Sequence, residues 1–174
     1  MSTEYMNQVQ KLTFSAMITA LYVVILYFTQ SFSFGAYQIR IATSMYALSY
    51  LFPFLVLPLG LANFIANMLF GGFGIVDMLG GCIVGILTTA LIVLIRKLHW
   101  SRNLIAVPII FVPGLGVAVY LCRFLELPYG ALAVSLCIGQ TFPAVAGVLL
   151  VRSLQQVWRI KDRKTVVKRK GELR

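Results

Sequence analysis

Apolar runs of similar length, separated by short polar or glycine- and proline-containing stretches, dominate this chain. A helix needs about 20 residues, largely apolar, to cross a bilayer. Four continuous runs meet that requirement: Leu12–Gln30, Asp77–Ile95, Leu104–Cys122 and Tyr129–Leu150. The stretch from Ile39 to Phe70 is too long for one crossing at about 1.5 Å per residue and short for two. Pro53 and Pro58 interrupt it, because proline lacks a backbone N–H and clashes with the preceding turn. The pattern predicts two short spans there, Ile39–Leu51 and Phe54–Leu69, meeting at a tight proline turn. The expected fold class is an all-α integral membrane protein with six transmembrane helices. Its expected parts are an N-terminus at 1–10, a six-helix membrane domain at 11–158 and a basic tail at 159–174.

Composition agrees. Of 174 residues, 60% are hydrophobic and 11% charged, against roughly a quarter charged in ordinary soluble domains. Disordered chains are polar, and this one is not. Met1–Gln10 holds no positive cluster and no small-residue cleavage site follows, so the first apolar run reads as a membrane helix rather than a removed signal peptide. The net charge of +10 is unevenly placed: nine of fifteen Lys and Arg fall between Arg152 and Arg174, and three more are Arg96, Lys97 and Arg102. Basic loops stay in the cytoplasm, so this distribution reads as topology rather than as a nucleic-acid site. Six spans place both termini and the Arg96–Arg102 loop on that side, leaving only Arg40 and Arg123 elsewhere. The tail can also touch anionic headgroups. Cys82, Cys122 and Cys137 lie in apolar runs without metal-ligand spacing and read as packing residues.

Ionisable groups at membrane depth are costly and usually face a cavity or a partner. Asp77 and Glu126 are the only acids outside the termini, and they lie with Arg40 and Arg123 at the outer ends of spans. Arg123 and Glu126, three apart, are neighbours on a helix end and read as a local pair. Arg40 and Asp77 differ, because polar residues gather around them. Gln38 precedes Arg40, Thr43 and Ser44 follow, Asn63 and Asn67 share one helix face, and Gln140 lies within the last apolar helix. Helix-to-helix hydrogen bonding explains any one of them. Together they predict a polar cavity for a small ligand in the outer half of the bundle. Aromatic residues crowd the same end, namely Tyr27, Phe28, Phe32, Phe34, Tyr37 and Tyr46, and most suit an interfacial belt. Phe34-Gly35-Ala36-Tyr37 reads as a lid on which a flat ring could stack. Ala16 and Ala20 form a small-xxx-small motif that lets another helix approach closely. No P-loop, GxSxG or HExxH occurs, and no metal or cofactor site is expected.

The succession Ala16-xxx-Ala20-Leu21-Tyr22, Gln38-Ile39-Arg40-Ile41, Ala66-Asn67, Gly72–Asp77 and Gly80 resembles the QueT family from about Lys11 to Leu154. These are substrate-binding S components of energy-coupling factor (ECF) transporters associated with queuosine precursors. The resemblance implies a multi-pass protein of a bacterial plasma membrane with both termini cytoplasmic. It implies assembly with a transmembrane coupling protein (EcfT), docked on the Ala16/Ala20 face, and with two ATPase subunits. It also implies an outward site for a nucleobase-like ligand, closed by the loop after the first helix. A 7-deazaguanine then suggests roles: Asp77 accepts from ring N–H groups, Asn67 and Gln140 complete the ring edge, Arg40 donates to the ring carbonyl or holds Asp77, and Tyr37 or Phe34 stacks. The family pattern has an acidic residue three positions after the arginine, where this chain has Thr43. Without that charge, a cationic aminomethyl arm loses its partner, and neutral or larger relatives such as queuine or queuosine become the expectation. The alternatives are an S component for riboflavin or thiamine, a membrane assembly protein without a ligand, and a secondary transporter, for which the repeated halves are missing.

Overall fold

The computed structural model describes residues 6–33, 38–71 and 73–172, with side chains described as far as Trp158. All regular structure among them is helical. Five elements are α-helices: α1 (Gln8–Ser33), α2 (Val56–Phe70), α3 (Gly74–Lys97), α4 (Ala106–Leu125) and α5 (Tyr129–Glu172). Three 3-10 segments join them, at Ile41–Tyr50, Pro53–Leu55 and Arg102–Ile105. Among the described residues, five stretches are long and apolar enough to cross a membrane: Gln8–Ser33, Pro53–Phe70, Gly74–Lys97, Arg102–Leu125 and Tyr129–Trp158.

The expected second span takes another form. Ile41–Tyr50 is a ten-residue 3-10 helix, which at about 2.0 Å per residue is shorter than the roughly 30 Å hydrocarbon core. Ala42, Thr43, Met45, Tyr46, Ala47, Leu48 and Ser49 are all buried. Irregular backbone at membrane depth is tolerated where protein covers it, and α1, α3 and α5 all pack against this segment. The proline turn falls where the pattern put it. The chain reverses at Leu51–Phe52, and Pro53 opens the next helix at a position where its missing N–H is harmless. Pro58 lies in the first turn of α2 and does not interrupt it. Arg96, from the last turn of α3, closes the end of the 3-10 segment. Its Nη1 donates to the carbonyls of Tyr50 (3.1 Å) and Leu51 (3.0 Å).

Aromatic contacts tie one end of the bundle together. Phe14 of α1 meets Phe52 at 4.8 Å between ring centroids, and Phe52 meets Trp158 of α5 at 5.7 Å. The start of α1, the proline turn and the far part of α5 therefore share one end, and Arg40, the end of α2 and the start of α3 lie at the other. The larger apolar core packs Tyr22, Leu26, Tyr46, Leu55, Leu59, Ile92 and Ile109. A smaller one joins α3, α4 and α5 through Val84, Val117, Leu121 and Leu136. Outward-facing positions are apolar too: Leu79, Ile83, Leu87 and Leu91 repeat every fourth residue of α3 and are all exposed. That face suits hydrocarbon rather than water.

Close approach of α2 and α3 requires a glycine at position 85. A Cβ there would lie 3.1 Å from the Gly60 Cα and 3.1 Å from the Tyr46 hydroxyl. Gly85→Leu is expected to cost about 1–3 kcal/mol by overpacking, lowering the thermal unfolding midpoint in detergent. Leu87→Ala, on the exposed face, should leave it unchanged; equal effects would show that this contact does not limit packing.

Candidate functional site

The buried polar residues form one connected network. Arg40, at the entrance to the 3-10 segment, points its guanidinium across the face of α2. Nη1 donates to Asn63 Oδ1 at 3.1 Å, and Nη2 donates to Asn67 Oδ1. The two asparagines are four apart, so they share one face of α2 and both side chains reach the same guanidinium. Both amides are used at both ends. Asn63 Nδ2 donates to the Tyr46 hydroxyl (2.9 Å) and the Gly81 carbonyl (2.8 Å). Asn67 Nδ2 donates to the Asp77 carbonyl (2.8 Å) and to Asp77 Oδ1 (3.2 Å). Asn67 thus links the arginine to the carboxylate through one side chain. Gly81 makes this possible, since a Cβ there would overlap Asn67 Nδ2 and press on Asn63 Cγ at 3.3 Å.

A second branch leads to α5. Thr43 Oγ1 lies 2.6 Å from the Arg40 carbonyl and 2.9 Å from Gln140 Oε1, so its one proton is shared between two acceptors. Gln140 Nε2 donates to the Gln38 carbonyl at 3.2 Å. Gln38 holds φ of 42°, a left-handed conformation that costs energy in a residue other than glycine. Tyr46 also meets Tyr22, hydroxyl to hydroxyl at 3.3 Å. Arg40, Thr43, Asn63, Asn67, Asp77 and Gln140 are all buried.

A small cavity, about 10 Å³, sits where the two apolar cores meet. On its polar side are Gln38, Arg40, Thr43, Tyr46, Asn63 and Gln140; Val84, Val117 and Leu136 close the other. It has room for about one water, whereas ligand pockets run from about 300 Å³ upward. A bicyclic base would enter this cavity only if its walls part.

Of the sequence-predicted ligand residues, Gln38, Arg40, Thr43, Asn63 and Gln140 line this cavity. Asn67 stands one hydrogen bond behind it, through Arg40, and Asp77 stands behind Asn67. Phe34 and Tyr37 lie outside the described residues. Arg123 and Glu126 are exposed at the end of α4 and are not among the cavity-lining residues. Two residues escaped the sequence reading. Tyr46, expected in an interfacial belt, is fully buried within the network. Tyr120 of α4 donates to Asp77 Oδ1 at 3.0 Å. A tyrosine inside an apolar span was the available signal, since a buried hydroxyl needs a partner. Ala16 and Ala20 are exposed along an open apolar groove of about 890 Å³, walled by Leu57, Leu61, Ile65 and Ile86. Among the described residues, no three metal-ligating side chains come together.

These features define a class: a polytopic helical membrane protein whose buried polar groups converge from several helices at one end of the bundle. A family model described as QueT transporter matches residues 12–156, and the chain belongs to that family. Membership makes it a membrane transporter rather than an enzyme. No curated protein and no solved structure matches it.

The joint at Asn67 should matter more than its periphery. Asn67→Leu leaves a guanidinium arm and a carboxylate without the amide between them and should cost about 1–3 kcal/mol. Tyr120→Phe removes one interhelical hydrogen bond, worth about 0.6 kcal/mol in membrane proteins. Equilibrium unfolding in mixed micelles measures both, and equal losses would show that Asn67 is not the joint.

Proposed function

We propose that this protein is the substrate-binding S component of an ATP-driven ECF importer, taking up a queuosine precursor or a related 7-deazaguanine such as queuine or queuosine. The observation that carries this reading is the convergence of Arg40, Thr43, Asn63 and Gln140 on one buried cavity, backed by Asn67 and Asp77. Donors and acceptors at fixed positions suit a flat heterocycle with a hydrogen-bonding edge. The carbonyl of such a base meets Arg40, and its N–H groups meet the amide oxygens of Asn63 and Gln140. Asp77, held by Asn67 and Tyr120, reaches the base only when those two release it. Opening breaks the Gln140–Gln38 bond, which ties that glutamine of α5 to the backbone entering the 3-10 segment.

The six-crossing count belongs to the same reading, with the 3-10 segment as the short second crossing and both termini in the cytoplasm. Loading α3's end, the following loop and the tail with Arg and Lys supports that orientation. The Ala16/Ala20 groove is the face for the transmembrane coupling protein, and two partner ATPases supply the energy. Thr43, uncharged and already shared between Arg40 and Gln140, favours a ligand without a cationic arm.

Calorimetry on the protein in nanodiscs tests the substrate, using queuine, queuosine, the aminomethyl and cyano deazaguanines, guanine, riboflavin and thiamine. Binding of a deazaguanine, lost in Asp77→Ala and Asn67→Ala, is expected. Thr43→Glu should shift preference toward the aminomethyl base. Binding of riboflavin or thiamine alone would remove the substrate assignment, and no binding at all would favour an assembly role. In vesicles holding the complete importer, Ala16→Leu with Ala20→Leu should abolish ATP-dependent uptake while leaving ligand affinity unchanged. Parallel loss of both would move the docking face elsewhere.

A further inference from the structure

At the end of the bundle that carries the proline turn, a second polar site lies apart from the network around Arg40. An open cleft of about 460 Å³ separates the Arg102–Ile105 turn from α5 and is lined by Ser101, Arg102, Asn103, Arg152, Gln155 and Gln156. Two guanidiniums face it, and each is positioned by a neutral amide. Arg102 Nη1 donates to Gln155 Oε1 at 2.7 Å, and Arg152 Nη2 donates to Asn103 Oδ1 at 2.5 Å. An amide orients an arginine without cancelling its charge, and each guanidinium carries five N–H donors. Asp77 begins α3 and Glu126 ends α4, so both of these carboxylates lie at the opposite ends of those helices from the cleft. The arrangement places two positive charges on one cleft, which suits an anion.

The connector that supplies the cleft also faces an apolar groove. Trp100 and Leu104, which bracket Ser101–Asn103, line a groove of about 290 Å³ with Leu91, Leu94, Val107 and Phe111, and its lining is wholly apolar. Trp100 is exposed, as tryptophans at a membrane interface are. A soluble anion could use only the cleft, whereas a phospholipid could use both features. Arginine pairs well with phosphate because its planar donors match two oxygens at once.

We propose that Arg102 and Arg152 bind the headgroup phosphate of an anionic phospholipid, with an acyl chain along the Trp100–Phe111 groove. The site is distinct from the transported ligand's cavity and holds the α3–α4 connector against α5 in the membrane plane. Native mass spectrometry of the full-length protein in detergent, titrated with dioleoyl phosphatidylglycerol and dioleoyl phosphatidylcholine, tests it. Phosphatidylglycerol should bind preferentially, and Arg102→Gln with Arg152→Gln should weaken it about tenfold or more. Arg102→Lys with Arg152→Lys should keep part of the preference and an unchanged melting temperature, which separates lost recognition from lost folding. Lys161→Gln with Arg163→Gln removes the same charge from the tail and should leave affinity unchanged; an equal loss would reduce the effect to general charge and overturn the proposal. Wild-type binding by the Arg→Gln pair would also overturn it. Inorganic phosphate at millimolar concentration should not displace the lipid; if it competes fully, a free phosphate compound is the occupant and the lipid assignment fails.

Discussion

Everything at the Arg40 end of this bundle depends on giving one buried guanidinium enough partners. Arg40 is buried within a protein whose outward faces are apolar, so water cannot satisfy it. An ion taken from water costs several kcal/mol unless fixed dipoles replace its hydration. Here the replacement is a pair of asparagine carbonyls on consecutive turns of α2, each held by donating its own N–H groups onward. Because those amides end on Gly81 and Asp77, the arginine's position sets the separation of α2 from α3. The packing and the polar chemistry are one structure.

The short 3-10 segment follows from the same constraint. A regular span between α1 and α2 would expose one side to lipid and carry Thr43 and Tyr46 partly outward. A short buried element instead presents Arg40, Thr43 and Tyr46 to the interior, where Asn63 and Gln140 meet them. Its backbone ends are finished by protein groups, with Arg96 serving the carbonyls of Tyr50 and Leu51. Basic residues in this chain therefore do several jobs: Arg40 organises a cavity, Arg96 ends a helix, and Arg102 and Arg152 face a cleft.

The cavity and the exposed groove over Ala16 and Ala20 lie on different sides of α1 and α2. α2 is common to both: Asn63 and Asn67 face inward, and Leu57 and Leu61 wall the groove. The apolar exterior leaves few charges to anchor the bundle at one depth.

Hydropathy alone determined that the chain is helical and membrane-embedded, where the five membrane-length helices among the described residues run, and that the chain turns at Pro53, since run length and proline are local properties. It also singled out Arg40, Asn63, Asn67, Asp77 and Gln140, because polar groups inside apolar spans are conspicuous on their own. Tertiary structure decided which of them meet. Arg40 and Gln140 are a hundred positions apart and share Thr43 as a go-between, a relation with no sequence signature. Tyr46 and Tyr120 were hidden for the opposite reason: a tyrosine suits an interface as well as a core, and only the helix facing it determines where its hydroxyl goes. The 3-10 form of Ile41–Tyr50 was likewise beyond local reading, because its ten residues are apolar enough for a span and become a buried strut only when three helices close around them.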